Sequence, residues 1–476
     1  MKQSVEREIK LRAGAGFALP SELGEPIEAR RFSSTYHDTP DHRLAACDIT
    51  LRYRAEAGSG AWQLKLPAGD DRLELEVRGS PRQVPQTLID LLPAVTRGRP
   101  LRPAATLVTR RHGVMVRDAG RDLAEVLMDE VRVTARGAAV SRLSEVEVEL
   151  VDGDDGSLAR IEHALRDAGA RDGDERPKLF RALGIDRQPP APPRRSARPL
   201  RQLSAMLEAQ YRAIIVNDPG TRLGTDPEHL HQHRVAIRRL RALLRAGAPL
   251  LERRWVKELR TELAWAGGAL GEVRDLDVLL EHLHADAAEL SPADRDAVES
   301  LLPALERRRE QARTAMLADL ASSRYLRLLD RLEHELAAPP ARRARTSLRR
   351  IAAREFRALR REVRALGPDP TDEQLHEVRK TVKHARYAAE LAERSRGRKA
   401  TKFIAAAKRA QDVLGEHQDA HVAEQAMRDL SEVAEPRAAA AAQLVIARQQ
   451  VRKATRRAEF PAAWRTLKRR GRAAWS

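Results

Sequence analysis

From residue 1 to about 184 the chain alternates with period two, segment after segment, and the polar phase carries charge of both signs. Ile49-Thr50-Leu51-Arg52-Tyr53-Arg54, Trp62-Gln63-Leu64-Lys65-Leu66, Leu73-Glu74-Leu75-Glu76-Val77 and Glu145-Val146-Glu147-Val148-Glu149-Leu150 all read this way. Such a period puts one phase on each face of a strand. Many short strands at close spacing predict an antiparallel barrel or sandwich. A charged face recurring in strand after strand fits a barrel with a charged interior as well as a solvated sheet. In the first segment, Val5-Glu6-Arg7-Glu8-Ile9-Lys10-Leu11, the spacing sets Glu6, Glu8 and Lys10 on one face. Two carboxylates and an ammonium together suit a metal ion and a polyanion.

The grammar then changes. Residues 185–200 hold Pro189, Pro190, Pro192, Pro193 and Pro199 among arginines and read as an extended linker. From residue 201 the chain is rich in Ala, Leu, Arg and Glu at helical spacing. Breaks are expected near Asp218-Pro219-Gly220, Ser291-Pro292, Pro339-Pro340 and Gly367-Pro368-Asp369-Pro370. A chain of 476 residues also exceeds one ordinary core. The expected class is therefore α+β multidomain: a β domain over 1–184, a linker over 185–200 and an all-α domain over 201–476.

The helical part repeats itself. His231-x-x-Arg234-x-x-x-Arg238-x-x-Arg241 returns as His376-x-x-Arg379-x-x-x-Lys383-x-x-Arg386, and Leu270-Gly271-Glu272-x-x-Asp275 returns as Leu414-Gly415-Glu416-x-x-Asp419. The offsets, 376 − 231 = 145 and 414 − 270 = 144, agree to one residue. Two units over about 201–285 and 347–430 follow, joined by a helical stretch over 286–346. Leu-Gly-Glu is expected to close a helix, with the Asp near the next helix start.

On a helix, His231, Arg234, Arg238, Arg241 and Arg245 share one stripe, as do His376, Arg379, Lys383 and Arg386. A single-sign ladder costs stability unless an anion neutralises it. Rungs about 5 Å apart suit a repeating phosphate chain. Composition agrees: 87 Lys+Arg against 69 Asp+Glu leave a net charge of +18. Nucleic acid is the less favoured polyanion, because aromatics are only 3% and no reading-helix motif stands out. The single Cys47 rules out an intrachain disulfide or a cysteine zinc site. No apolar run approaches the length of a membrane span, so a cytoplasmic protein without membrane contact is expected. His229 and His233 have metal-ligand spacing but only Asp226 and Glu228 as acidic neighbours, and a zinc site is disfavoured.

These residues resemble two families joined in one chain. Glu6-x-Glu8-x-Lys10, Tyr36-His37-Asp38-Thr39-Pro40, Leu51-Arg52-Tyr53-Arg54, Gln63-Leu64-Lys65, Arg72-x-Glu74-x-Glu76, Ala124-Glu125-Val126 with Asp129, Glu145 to Leu150, and Lys178 resemble the CYTH domain of triphosphate tunnel metalloenzymes. The His-led stripes and Leu-Gly-Glu repeats resemble a CHAD domain. The first resemblance implies an eight-stranded antiparallel tunnel that hydrolyses inorganic triphosphate with Mg²⁺ or Mn²⁺. Metal ligands would be Glu6, Glu8, Glu147 and Glu149 with Asp129 close by. Lys10, Arg52, Arg54, Lys65, Arg110 and Lys178 would grip phosphate, Arg111 being the alternative to Arg110. Glu74, Glu76, Glu125 and Glu145 would be supporting groups.

The second resemblance implies binding of long-chain inorganic polyphosphate along the two stripes, and association with polyphosphate granules. Two departures from the CYTH pattern are Pro177 before Lys178 and His37 where a second aromatic is usual. Competing expectations are a non-catalytic polyphosphate binder, or an enzyme for an organic triphosphate of the adenylate cyclase or thiamine triphosphatase type. For the last, Trp62 is the one aromatic that offers itself at a tunnel mouth.

Overall fold

Arg7 divides the first alternating segment. In the computed structural model, β1 (Lys2–Glu6) ends before it and β2 (Glu8–Arg12) starts after it. The structure describes residues 1–14, 16–68, 71–135, 138–174, 176, 178–182, 184–185, 199–342 and 346–475. They fall into two units, Met1–Ala191 and Pro192–Ser476. In the first, β3 (Glu25–Asp38), β4 (Thr50–Glu56), β5 (Ser59–Ala68), β6 (Asp71–Arg78), β7 (Arg102–Asp118), β8 (Arg121–Ala135), β9 (Ala138–Leu150) and β10 (Arg171–Asp172) complete an antiparallel sheet. Short helices α1 (Arg43–Ala46), α2 (Gln86–Ile89), α3 (Pro93–Thr96) and α5 (Lys178–Ala182), and the longer α4 (Asp155–Asp167), accompany it.

The strand order is β1-β6-β5-β4-β3-β7-β8-β9-β2-β10. β1 pairs with β6 and β2 pairs with β9, yet only Arg7 separates them. The two flanks of the sheet are thus halves of one N-terminal segment, and the sheet closes on itself. The Leu150 N–H donates to the Arg7 carbonyl at 3.1 Å, where the partner changes. Closure removes the open edges. Ten strands result where eight were expected, because the first strand is split and the two-residue β10 is added.

The apolar phase points out of the barrel. Leu11, Val146, Val148 and Val126 pack under Ile161 and Leu165 of α4, which Asp154 caps by accepting from the Ser157 N–H at 2.8 Å. Val131 and Val133 form a second cluster with Leu179 and Phe180 of α5 and Ala45 of α1. The first core lies outside the wall, which leaves the charged phase within; the second lies on the inner face, since Val131 and Val133 pair with Thr109 and Leu107 and join Tyr36 and Leu107 of the cavity lining. Trp62 belongs to the outer phase. It is fully buried, donates from Nε1 to the Ser80 carbonyl at 2.9 Å, and packs against His37 and Tyr53 at ring-centroid distances of 4.8 and 5.4 Å. It is wall packing, not a tunnel-mouth aromatic.

The second unit consists of α6 (Pro199–Leu223), α7 (Pro227–Gly247), α8 (Arg253–Ala288), α9 (Pro292–Glu299), α10 (Pro303–Ala321), α11 (Ser323–Glu335), α12 (Leu348–Ala365), α13 (Asp372–Arg396), α14 (Arg398–Ser431) and α15 (Pro436–Trp475). α6-α7-α8 and α12-α13-α14 pack in succession as two similar triplets, and α7 lies against α13. Most of the expected linker, 186–198, lies outside the described residues, and α6 takes in its last two positions. Among the described residues no helix is long and apolar enough to cross a membrane.

Two expectations are corrected. Asp218-Pro219-Gly220 does not break the chain but sits inside α6. Asp218 is fully buried and accepts from Arg222 Nε at 2.5 Å and the Tyr325 hydroxyl at 3.0 Å, while Gly220 lies where a Cβ would come within 2.2 Å of the His229 ring. Tertiary contact overrides the turn signal. Likewise both Leu-Gly-Glu motifs lie within long helices, α8 and α14, and not at helix ends.

Replacing Trp62 by Ala is expected to destabilise the N-terminal unit by about 3–5 kcal/mol, seen as faster amide hydrogen exchange through β4–β6. Unchanged protection would return Trp62 to a ligand-facing role.

Candidate functional site

The inward phase of the closed sheet surrounds a cavity of about 210 Å³. Its cations are Lys10 of β2, Arg52 and Arg54 of β4, Lys65 of β5, Arg72 of β6, Arg111 of β7 and Lys178 of α5. Its carboxylates are Glu8 of β2, Glu74 of β6, and Glu147 and Glu149 of β9. With β1 and β2 counted as one strand, β4 and β9 are four strands apart either way around the wall. The Arg52–Arg54 pair therefore faces the Glu147–Glu149 pair.

Neighbouring strands also set like charges side by side. Glu149 is directly across from Glu8 on one side and from Glu125 on the other, an unfavourable row unless a cation intervenes. One carboxylate oxygen each from Glu8, Glu147 and Glu149 lie within 4.8 Å of one another, and the same holds for Asp129, Glu145 and Glu147. Burial, with the charges of Glu8 and Asp129, pushes the Glu147 carboxyl up to about 8 against the pull of Arg111 and Lys10. An all-oxygen donor set of this kind fits a hard divalent cation such as Mg²⁺ or Mn²⁺. The Glu8–Glu147–Glu149 group borders the cavity, so it is the set that can hold metal and phosphate together.

Side chains of the cavity pair with one another. Arg111 makes a two-pronged contact with Asp129 at 2.7 and 2.8 Å and reaches Glu147 at 2.6 Å and Glu149 at 3.3 Å. Lys178 contacts Asp129, and also Glu145 at 2.8 Å and Glu147 at 3.2 Å. Burial drives its ammonium down to about 7, with Arg111 adding to the effect and Asp129 opposing it. Burial alone would raise Asp129, but its bonds to Arg111 and the charge of Lys178 hold it below the usual carboxylate range. Lys10 bonds Glu8 at 2.5 Å and Lys65 bonds Glu74 at 3.1 Å. Phe32 supports the cations from below: the Arg54 guanidinium lies 3.7 Å from its centroid and that of Arg111 5.5 Å. Arg52 bonds Gln63 at 2.8 Å and the Tyr36 hydroxyl at 3.1 Å.

Of the expected phosphate-binding residues, Lys10, Arg52, Arg54, Lys65 and Lys178 line the cavity. Arg110 does not. It is exposed, because Leu107, Thr109 and Arg111 hold the inward phase of β7, and Arg111 replaces it. Glu8, Glu147 and Glu149 come together; Asp129 stands behind them, fully buried on Arg111 and Lys178. Glu6 is across from Arg72 on β6, but its side chain lies outside the described residues, as does Pro177. Glu145 anchors Lys178 and Arg181, whereas Glu76 bonds Gln63 and Glu125 sits 4.0 Å from Arg30. Sequence reasoning assigned no role to Arg72, although its Arg-x-Glu-x-Glu alternation already set it on the face of Glu74.

In the helical unit, His231, Arg234, Arg238, Arg241 and Arg245 lie on α7, and His376, Arg379, Lys383 and Arg386 on α13. The ladders converge. Lys383 is pushed down to about 7 by burial and then by Arg379 and Arg386 of its own helix and Arg238 and Arg234 of α7. Arg234 is gripped by Asp275 at 2.7 and 3.1 Å. A Cβ on Gly271 would touch that guanidinium at 3.7 Å, and one on Gly415 would touch Arg379 at the same distance. Both distances are ordinary van der Waals contact, so the Leu-Gly-Glu glycines pack beside the two arginines without being required by them, and Asp275 and Asp419 moderate the arginines' charge. The buried Nε atoms of Arg238, Arg241, Arg379 and Arg386 have no hydrogen-bond partner among the described residues.

Arg260 and Arg274 of α8 also join the cluster, acting on Arg241 and His231 respectively. No repeat marked them, since the related positions hold Ile404 and Gln418 (260 + 144 and 274 + 144). His376 Nδ1 lies 2.5 Å from Gln418 Oε1. His229 and His233 are structural: His233 is fully buried between Thr221 at 3.2 Å and the Tyr325 hydroxyl at 3.1 Å, and His229 is 3.4 Å from Asn217.

Comparison with known proteins matches a CYTH domain over residues 4–171 and a CHAD domain over residues 205–428. Two uncharacterized proteins of Mycobacterium tuberculosis, MT2285 and Rv2226, are each 32% identical over 441 residues, covering 84% of this chain and 82% of the relative. Among solved structures, the CHAD domain from the plant Ricinus communis is 26% identical and covers 59% of this chain and 96% of that one, with a TM-score of 0.48. A putative adenylyl cyclase from Hippeastrum, described as having a dominant triphosphatase activity, is 17% identical and covers 39% of this chain and 98% of that one, with a TM-score of 0.27. The chain belongs to the family of proteins that join a CYTH domain to a CHAD domain.

Proposed function

We propose that the N-terminal unit hydrolyses inorganic triphosphate with Mg²⁺ or Mn²⁺, and that the C-terminal unit binds inorganic polyphosphate. CYTH membership supports an enzyme of the phosphoanhydride hydrolase or cyclase type, and CHAD membership suggests polyphosphate binding. The observation that carries the finer reading is the two-sided interior, with Arg52 and Arg54 facing Glu147 and Glu149 across a small cavity. Glu8, Glu147 and Glu149 would hold the metal, which offsets phosphate charge as it redistributes during cleavage. Lys10, Arg52, Arg54, Lys65, Arg111 and Lys178 grip and align the phosphate oxygens, and Asp129 and Glu145 position Arg111 and Lys178.

The cavity's size and lining favour an inorganic substrate. At about 210 Å³ it falls below the roughly 300–1,000 Å³ usual for small-molecule pockets. Its aromatics, Phe32 and Tyr36, are engaged by Arg54 and Arg52 and so are not free to stack a nucleobase or a thiazolium ring.

Tripolyphosphate with Mg²⁺ or Mn²⁺ is expected to release phosphate faster than ATP or thiamine triphosphate does. Glu8→Gln should lower kcat/KM by about a hundredfold or more, the scale for losing one group that stabilises transition-state charge. Undiminished turnover in that variant sinks the metal assignment. Tight binding of tripolyphosphate with no hydrolysis under either metal supports the non-catalytic alternative.

The double variant Arg238→Gln, Lys383→Gln should lose polyphosphate binding and keep tripolyphosphate hydrolysis; retained binding places the site elsewhere.

Lys383 gives a third test. With a pKa of about 7, it is mostly neutral in the free protein at pH 8. A bound polyanion restores its charge, so binding at pH 8 should take up close to one proton (~1). Calorimetry in buffers of different ionisation enthalpy reads this uptake. Lys383→Arg, always charged, should bind without it. Equal uptake in both proteins removes Lys383 from the site.

A further inference from the structure

α12 carries a ladder of its own. Arg350, Arg354, Arg357, Arg361 and Arg364 follow at i, i+4, i+7, i+11 and i+14, and all five are exposed. At about 100° per residue they fall within roughly 80° of arc and extend about 21 Å along the helix. The two carboxylates of α12, Glu355 and Glu362, lie off this stripe. Arg357, Arg361 and Arg364 have no carboxylate partner among the described residues. The opposite face, with Ile351, Phe356 and Leu359, is buried. α6 holds the equivalent place in the first repeat but carries only Arg201, Arg212 and Arg222, so the stripe is not a by-product of the repeat.

Two further features mark the stripe. A concavity of about 590 Å³ opens on it, lined by Ser347, Arg349, Arg350, Arg357 and Trp475. Within its wall the indole Nε1 of Trp475 is buried with no hydrogen-bond partner among the described residues. The stripe also joins the α7–α13 seam. Glu355, itself mostly buried, contacts Arg354 at 3.0 Å and, at 3.5 Å, Arg245, the last rung of the α7 ladder. One carboxylate thus ties the last rung of the α7 ladder to the second rung of the α12 stripe.

We propose that the outer face of α12 is a second polyphosphate track continuous with the α7–α13 seam, so that long chains engage both and short chains only the seam. This rests on the polyphosphate reading of the seam. The stripe is all arginine, the side chain whose fork matches phosphate oxygens. Like-charge neighbours three and four apart cost stability, which a bound polyanion returns. No aromatic interrupts the stripe to stack a base, and no exposed apolar face accompanies it to enter a lipid surface.

The test compares the full-length protein with Arg354→Gln/Arg357→Gln/Arg361→Gln/Arg364→Gln. Each binds polyphosphate no longer than the α7 ladder, about 21 Å, and polyphosphate many times longer, over a range of salt. Short chains should bind the variant as they bind the parent. Long chains should bind about tenfold or more weakly, through lost avidity, with a salt slope shallower by about 3. Arg357→Gln/Arg361→Gln, which touches no ion pair, should move the slope by about half as much (~1.4) and serves if the quadruple variant does not fold. Unchanged long-chain affinity overturns the track, and so does a loss confined to duplex DNA or to anionic vesicles. If Arg238→Gln/Lys383→Gln leaves short-chain binding intact, the seam reading fails instead.

Discussion

Everything inside the N-terminal unit depends on the change of hydrogen-bonding partner at Arg7. On one side of it the chain pairs with β6, on the other with β9, and a sheet that would otherwise have two edges has none. An open sheet would leave its charged phase in water, where opposite charges attract weakly. Closure brings the cations and carboxylates together with little solvent between them. Without a ligand they neutralise each other, as Arg111 does with Asp129 and Glu147. On the proposed function the site would work by exchange of partners: a metal would take the carboxylates and a phosphate the cations. Burial nevertheless raises Glu147 and lowers Lys178 despite these pairs.

The helical unit gathers charge by another route. Two ladders, each tolerable alone, are pressed together where α7 meets α13, and Lys383 bears the cost. The apolar faces of these helices hold them there, with Leu240 and Leu244 buried on α7 and Val378 and Val382 on α13. The repeats are similar without being identical. Buried His233 joins Tyr325 and Asp218 in a polar network, while the related position 233 + 145 holds the apolar Val378. The first repeat also supplies Arg260 and Arg274, and the second supplies the outer stripe of α12.

Much of this was legible because strand and helix periods are local properties. The alternation marked the walls of the cavity, and the repeated spacing marked both seam ladders. Arg110 was misassigned because two adjacent arginines fit either phase, and only pairing with β3 and β8 decides between them. The Leu-Gly-Glu motifs read as helix ends because glycine's usual signal is local, whereas both lie inside long helices, packed beside Arg234 and Arg379. Asp218-Pro219-Gly220 misled for the same reason. Arg260 and Arg274 carried no signal at all, since neither recurs and neither belongs to the ladders they join.

The closing strand has a consequence for how the protein is made. Lys10 pairs with Glu147, and Val5 with Leu73, so a segment synthesised before the rest of the sheet is among the last to find its partners. Until β9 is synthesised, an alternating strand waits with one flank unpaired, a long-range contact of the kind that slows folding and exposes edges to other chains. The helical unit has no such delay, because its triplets assemble from neighbours in sequence. Birth order and folding order therefore run against each other within the N-terminal unit, and its exposure to misassembly is greatest before residue 150 has emerged.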